Sequence, residues 1–283
     1  MRMEVKKAAQ LSLLGAQARR SALEMVYRAT SGHLGGSMSL CEILSVLYFD
    51  TMRIDPAKPD DPDRDRFVLS KGHCTPALYS VLAMRGFFPR EMLSTFRSID
   101  GHLSGHAEMR HVPGVDMSTG SLGQGISTAV GMALAGQVDK KDYRVYAVLG
   151  DGELEEGQVW EAAMFAGAKH LDNLVVIVDN NGLQIDGKID DVNSPYPIDK
   201  KFEAFRFHVI NVDGHDFDAL KQAFDEARTV KGQPTAIIAK TIKGKGVSFM
   251  EDQASWHGVA PNDEQYKLAM EELEKAGEAL CQK

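Results

Sequence analysis

Residues 143–182, YRVYAVLGDGELEEGQVWEAAMFAGAKHLDNLVVIVDNNG, decide the fold. Two apolar runs rich in Val, Ile and Tyr, YRVYAVLG (143–150) and NLVVIVDNN (173–181), read as buried strands. Between them EGQVWEAAMFAGAKH (156–170) reads as a helix. Strand, helix and strand in that order make one crossover unit of a parallel sheet. Working outward, FVLS (67–70), FHVINVDG (207–214) and TAIIAKT (235–241) supply further strands, with a helix near 217–230 between the last two. Residues 4–29 and 39–50 carry apolar residues at helical spacing, and ISTAVGMALAGQ (126–137) is a helix introduced by the glycine loop GSLGQG (120–125). DPAKPDDPDRDR (55–66) is a solvated Pro- and Asp-rich loop. The tail from 262 predicts an amphipathic helix packed on the surface or on a partner. The expected fold is α/β, a mostly parallel sheet with helices on both faces, forming a single domain over 1–283.

Composition removes several function classes. The chain has 283 residues, 43% hydrophobic and 25% charged, which is ordinary for a soluble globular protein and excludes whole-chain disorder, collagen and coiled coil. Its net charge of −8 argues against nucleic-acid and anionic-membrane partners, which reward clustered positive charge. No apolar run approaches the ~18–20 residues of a membrane span. Gln and Arg interrupt the apolar residues at the N-terminus, so no signal-peptide core forms. Three cysteines, Cys41, Cys74 and Cys281, with no CxxC among them, are not a disulfide framework; a reducing cytoplasm is the simplest setting.

Ligands of a parallel sheet bind outside the carboxyl ends of its strands. One strong strand delivers Gly150, Asp151 and Gly152 to that edge, and the next delivers Asp179, Asn180, Asn181 and Gly182. Asp151 and Asn181 offer hard oxygen ligands one crossover unit apart, and the turn carbonyl of Leu183 offers a third. Mg²⁺ takes a few protein oxygens and completes its octahedron with water and phosphate oxygens. Flanking glycines let the backbone approach a phosphate closely. Taken singly, GDG and NNG are turns after strands; together at this spacing they read as a Mg²⁺–diphosphate site. Neither a GxGxxG dinucleotide fingerprint after a strand nor a Walker P-loop occurs.

Four histidines lie in loops beside glycine or small residues: His33 in SGHLGG, His73 in SKGHC, His106 in SGHAE and His257 in SWHG. Imidazole bonds a diphosphate or shuttles protons to a sugar hydroxyl near neutral pH. His102, His106 and His111 also have a spacing open to zinc, although Gly101, Gly105 and Pro113 work against the helix that would align them. His170, His208 and His215 read as structural, Cys74 as a small buried residue, and Trp160 as helix packing. Trp256 either shields the site or packs in the core.

These motifs resemble the N-terminal, diphosphate-binding domain of transketolase. SGHLGGSMS, FVLSKGH, SGHAE, STGSLGQGISTAVGMALA, GDGELEEGQVWEAAMFA, VDNNGLQIDG and KTIKGKG…SWHG follow that family's order over about residues 30 to 260. The resemblance implies a thiamine diphosphate-binding fold and transfer of a two-carbon ketol unit from a ketose, by default a sugar phosphate, to an aldose, as in the pentose phosphate pathway. It implies Mg²⁺ held by Asp151, Asn181 and the Leu183 carbonyl. Gly152 would contact the diphosphate through its backbone, and His73 and His257 would bond it. Gly120 and Leu122 match the loop touching the aminopyrimidine, and Ile185 would pack near the thiazolium. His33 and His106 would face the sugar hydroxyls, with His257 beside them. Glu156 matches an acidic residue that links paired cofactor sites, and a carboxylate buried there needs a partner.

In that family a glutamate from a second domain bonds the pyrimidine ring, and arginines there hold the sugar phosphate. Both fall after the segment matched here. The expectation is a split transketolase: an N-terminal subunit that meets a separate C-terminal, pyrimidine-binding subunit in an α₂β₂ assembly. Lys243 and Lys245 stand where single-chain transketolases more often have apolar residues, and the 1-deoxyxylulose-5-phosphate synthases carry a similar Lys-rich stretch. The alternative readings are therefore a synthase-like enzyme and a catalytically silent cofactor-binding subunit.

Overall fold

A computed structural model describes residues 5–281; the side chains of Val5 and Cys281 are not described, so the expected helix start at residue 4 and the Cys281 thiol lie outside the described residues. In chain order the elements are α1 (Val5–Ala29), α2 (Gly35–Met38), α3 (Cys41–Val46), β1 (Arg66–Leu69), α4 (Thr75–Arg85), α5 (Gln124–Val138), β2 (Val145–Gly150) and α6 (Gly157–Ala168). There follow β3 (Leu174–Asn180), β4 (Leu183–Gln184), β5 (Gly187–Lys188), α7 (Ile189–Val192), α8 (Ile198–Ala204), β6 (His208–Asp213), α9 (Phe217–Thr229), β7 (Thr235–Lys240) and α10 (Asp263–Cys281). Five strands form one parallel sheet in the order β1-β2-β3-β7-β6.

The two-residue period of a strand divides the apolar runs between two cores. Tyr146, Val148, Val175 and Ile177 face a core with α1, α3, α4 and α9. Val145, Ala147, Leu149, Leu174, Val176 and Val178 face a second core with α5, α6 and α8. Every residue of β3 is buried, which is why its sequence shows no polar alternation.

Some elements differ from the sequence pattern. The helix expected over 39–50 is α3, which widens into a π turn over Leu47–Thr51. No period marks α4, because Thr75–Ala83 is buried all round and presents no polar stripe. Pro76 opens it, and Gly86 at φ +98° closes it. The β4–β5 hairpin and the short α7 and α8 are too brief for any periodic window to register. The terminal α10 packs on α1 through Ala269 and Leu273, while Tyr266 stacks on Tyr27 at 3.9 Å. Among the described residues no helix is long and apolar enough to cross a membrane.

A buried Arg19–Glu42 ion pair, joined by His215, ties three of these elements together. Arg19 on α1 makes a forked contact with Glu42 on α3, and His215 before α9 bonds the same carboxylate at 3.1 Å. His215 Nε2 accepts the Ile242 N–H at 2.9 Å, so its proton is on Nδ1, facing Glu42. Burial opposes charge on Glu42, but Arg19 and His215 overrule it and hold the carboxyl at about 2. A depressed carboxyl contributes stability in full above its unfolded value of ~4.3, and that contribution is lost as pH falls through about 2. Glu42→Gln strands the Arg19 charge in the interior; it is expected to lower unfolding free energy by about 3–5 kcal/mol in urea titrations and to flatten the pH dependence of stability in that acid window.

Candidate functional site

Four neighbouring strands end together at the carboxyl edge of the sheet. β1 runs into Ser70–His73, β2 into Asp151 and Gly152, β3 into Asn181–Leu183, and β7 into Thr241–Lys243. Connecting segments add His33 and Gly36 from between α1 and α3, His106, Gly120 and Leu122 from between α4 and α5, and His257 from between β7 and α10. These groups line a cleft of about 240 Å³.

Beneath it lies a buried polar knot. Asp179, fully buried on β3, accepts from the Lys71 ammonium, the Thr241 hydroxyl, Ser39 Oγ at 2.7 Å and Asn181 Nδ2 at 3.1 Å. Lys71 also donates to the Gly36 carbonyl at 3.1 Å. Burial opposes both charges, yet each stabilises the other: the Asp179 carboxyl is lowered and the Lys71 ammonium raised. Glu153 ties the neighbouring corner, accepting from the Ser70 hydroxyl, Gly123 N–H at 3.0 Å and Gly150 N–H at 3.1 Å. Its desolvation outweighs these bonds and raises its carboxyl.

Above the knot are three hard oxygens. Asp151 accepts the backbone N–H of Gly152 at 3.0 Å and of Gly182 at 2.5 Å; burial, then repulsion from Asp179, pushes its carboxyl up to about 6. Asn181 turns Oδ1 to the Leu183 N–H at 3.1 Å because its Nδ2 is held by Asp179. The third oxygen is the Leu183 carbonyl, which the Lys243 ammonium approaches at 3.5 Å. A carboxylate, an amide oxygen and a carbonyl suit a hard divalent cation.

The opposite wall is basic and imidazole-rich. Lys243 is buried, and its Nζ is 2.9 Å from His257 Nδ1. An ammonium has only protons to give, so Nδ1 accepts and His257 keeps its proton on Nε2. Burial and the charge of Lys71 lower Lys243 to about 8. His33 packs with ring centroids 5.0 Å from His73, 5.3 Å from His257 and 5.7 Å from His106. Burial, then neighbouring positive groups, lowers His33 to about 4 and His257 to about 3, with His73 and His106 lowered in the same direction. All four are neutral at pH 7, each with one nitrogen that donates and one that accepts. His33 Nδ1 is buried without a hydrogen-bond partner.

The cleft brings together His33, His73, His106, Gly120, Leu122, Asp151, Gly152, Asn181, Leu183, Ile185 and His257. Glu156 is the one candidate that does not line it. It stands exposed at the start of α6 against Gly123, where an added Cβ would come 2.8 Å from the Glu156 Cβ, so the burial weighed for it does not occur within this chain. Four buried ionic residues are given no site role by the sequence reading: Lys71, Glu153, Asp179 and Lys243. Adjacency to the glycines and histidines of SKGH, GDGE and VDNN is the one clue to the first three. Lys243 and Lys245 part company, since Lys245 turns to Glu251 at 3.3 Å while Lys243 enters the cleft. Trp256 packs with Phe249 at 5.5 Å, and its carbonyl closes over Gly35. His102 and His111 stand 6.4 Å apart, and among the described residues no three His, Cys, Asp or Glu side chains gather as a metal cluster.

The family of transketolase thiamine diphosphate-binding domains matches residues 13–277. The chain is 48% identical over 259 residues to the 6-deoxy-6-sulfo-D-fructose transketolase subunit SqwG of Clostridium sp. (strain MSTE9), covering 92% of this chain and 94% of that one. It is 43% identical over 270 residues to an apulose-4-phosphate transketolase subunit of Phocaeicola vulgatus, covering 95% and 96%. The solved transketolase from Campylobacter jejuni subsp. jejuni superposes with a TM-score of 0.88 at 32% identity, over 98% of this chain and 46% of that one. The chain thus spans a little under half of that solved transketolase and nearly all of the two subunits.

The polar knot yields a test of its own. Asp179→Asn leaves the Lys71 ammonium buried without a counter-charge and is expected to cost about 3–5 kcal/mol in chemical denaturation. The double substitution Lys71→Met with Asp179→Leu should recover much of that loss, because it removes both desolvated charges.

Proposed function

The chain belongs to the family of transketolase thiamine diphosphate-binding domains, and from that premise we propose that its cleft holds the diphosphate of the cofactor through Mg²⁺ bound to Asp151, Asn181 Oδ1 and the Leu183 carbonyl. The chain then acts as the diphosphate-binding half of a two-chain ketol transferase. The convergence of three hard oxygens with Lys243, His73 and His257 in one cleft is the observation that carries this reading. The residues present fit such a ligand. His33 Nδ1 is a buried nitrogen left without a partner. Gly152 opens a close approach, since the nearest atom to an added Cβ there is Gln184 Cβ at 3.3 Å.

When bound, thiamine diphosphate supplies the nucleophilic carbon and the electron sink for breaking the bond beside a ketose carbonyl. The protein's part is position, charge and proton traffic. Lys243 brings positive charge and His73 and His257 bring N–H groups to the diphosphate oxygens. His33 and His106, held neutral, can take a proton from a sugar hydroxyl or return one to a forming alkoxide. The two relatives of full length are named for ketoses with a distal sulfonate or phosphate, which supports an anionic ketose as donor here. Their description as subunits supports a separate pyrimidine-binding partner, in an α₂β₂ arrangement with the cofactor between the chains. Free, buried Cys41 and Cys74 suit a reducing cytoplasm.

Mixed with the pyrimidine-binding chain, the protein is expected to transfer a ketol unit that neither chain transfers alone; full activity of this chain by itself would overturn the two-chain reading. In the pair, Asp151→Ala should weaken thiamine diphosphate binding in Mg²⁺ on the order of 100-fold or more by calorimetry. An unchanged affinity and rate would favour the catalytically silent role. His106→Ala should instead lower kcat by about 10²–10⁴ while cofactor affinity holds.

A further inference from the structure

His106 lines two spaces. Its ring lies against Gly120 in the deep cleft, where an added Cβ would come 2.9 Å from His106 Cδ2. It also forms one end of an open outer trough of about 650 Å³ walled by Ser31, Arg97, Ser104 and Gly105. His106 is the one residue common to the two linings, and Arg97 lines the outer one.

Arg97 is built into that wall. Its backbone is left-handed at φ +58°, and its N–H bonds the Leu103 carbonyl at 2.8 Å, closing the 97–103 loop. The guanidinium reaches the Ser31 hydroxyl and lies against Gly105, where any Cβ would collide with Nε. Glycine at 105 thus clears a berth for this side chain. Among the described residues no carboxylate pairs with Arg97; its hydrogen-bond partner is the Ser31 hydroxyl. The carboxylate in the trough, Glu108, is taken up by the N–H groups of Arg110 and His111 and by the Ser118 hydroxyl. The charge is close enough to act on the cleft, for Arg97 is among the groups that lower His33 and His106.

We propose that Arg97 is the residue with which this chain itself holds the distal oxyanion, phosphate or sulfonate, of the sugar. An unpaired planar fork at the mouth of an otherwise acidic protein suits a tetrahedral oxyanion, which it can bond in two places. Ser31, whose oxygen accepts from Arg97, keeps a hydroxyl proton to offer along the same wall, whereas the Ser104 hydroxyl is spent on the His106 carbonyl. The assignment rests on the ketol-transfer reading above and adds to it a determinant of substrate choice outside the pyrimidine-binding half.

The test compares D-erythrose 4-phosphate with D-erythrose as acceptors, at a fixed concentration of L-erythrulose as neutral donor, using the chain paired with its pyrimidine-binding partner. In a ping-pong transfer the donor half-reaction cancels from the ratio of the two acceptors' kcat/KM values. Arg97→Met is expected to lower the ratio of phosphorylated to neutral acceptor by about tenfold or more. Arg97→Lys should restore part of it, since charge returns without the fork. Inorganic phosphate should inhibit the unmodified pair competitively with acceptor and the Arg97→Met pair less. A ratio unchanged in Arg97→Met overturns the proposal, whether both rates hold or both fall; a parallel fall assigns Arg97 to holding Ser31 and the His33 loop. Failure of the unmodified pair to use either acceptor is a different result: it removes the ketol-transfer reading, and this inference with it.

Discussion

The carboxylate of Asp179 is the fixed point of the structure. It is fully buried, and it gathers donors from the segments that leave β1, α2, β7 and its own strand. A buried charge is tolerable only when its partners are close and well directed, so each of these segments has one allowed position. Register along the parallel sheet brings the strand ends level, and the Asp179 knot then locks the loops that leave them. Asn181 is the clearest beneficiary. With its amide nitrogen spent on Asp179, its oxygen must face the opposite way, beside Asp151 and Leu183.

The same enclosure sets the electrostatics of the cleft. A chain with a net charge of −8 holds an anionic ligand through a local arrangement and not through its overall field. Burial first, and then the positive charges of Lys71 and Lys243, lower the imidazoles of His73 and His257. Neutral histidines both accept and donate, which an imidazolium cannot do. Acidic residues are dense in the 55–66 loop and along α10, Asp179 and Glu153 are tied up in the knots beneath the cleft, and Asp151 is the carboxylate above them.

Much of this was legible in the sequence. Strands β2, β3 and β7 announce themselves as continuous apolar runs because they are buried on both faces, and the glycine-flanked Asp151, Asn181 and histidines stand where such strands end. Other features left no local trace. Helix α4 is apolar all round, so its period is silent, and the β4–β5 hairpin is too short to carry one. Lys71, Glu153 and Lys243 look like ordinary surface residues when read singly, because a charged residue signals burial only through partners far away in the chain. His215 reads as structural, and the structure adds what it supports: the Ile242 backbone immediately before Lys243.

By itself, then, the sequence determined the parallel α/β architecture, the order of its strands along the chain and the hard-oxygen set at their ends, because hydrophobic periodicity and glycine placement are local properties. Tertiary structure alone decided which charges are buried, how Asn181 is turned, that four histidines share one enclosure in neutral form, and that Glu156 stands outside it. It also decided that Arg97, unremarkable in its own stretch of chain, lines the outer trough that His106 shares, with no carboxylate partner among the described residues. These are consequences of distance between residues far apart in the chain, and Coulomb and desolvation energies depend on that distance and on exclusion of water, neither of which is written in the neighbourhood of any one residue.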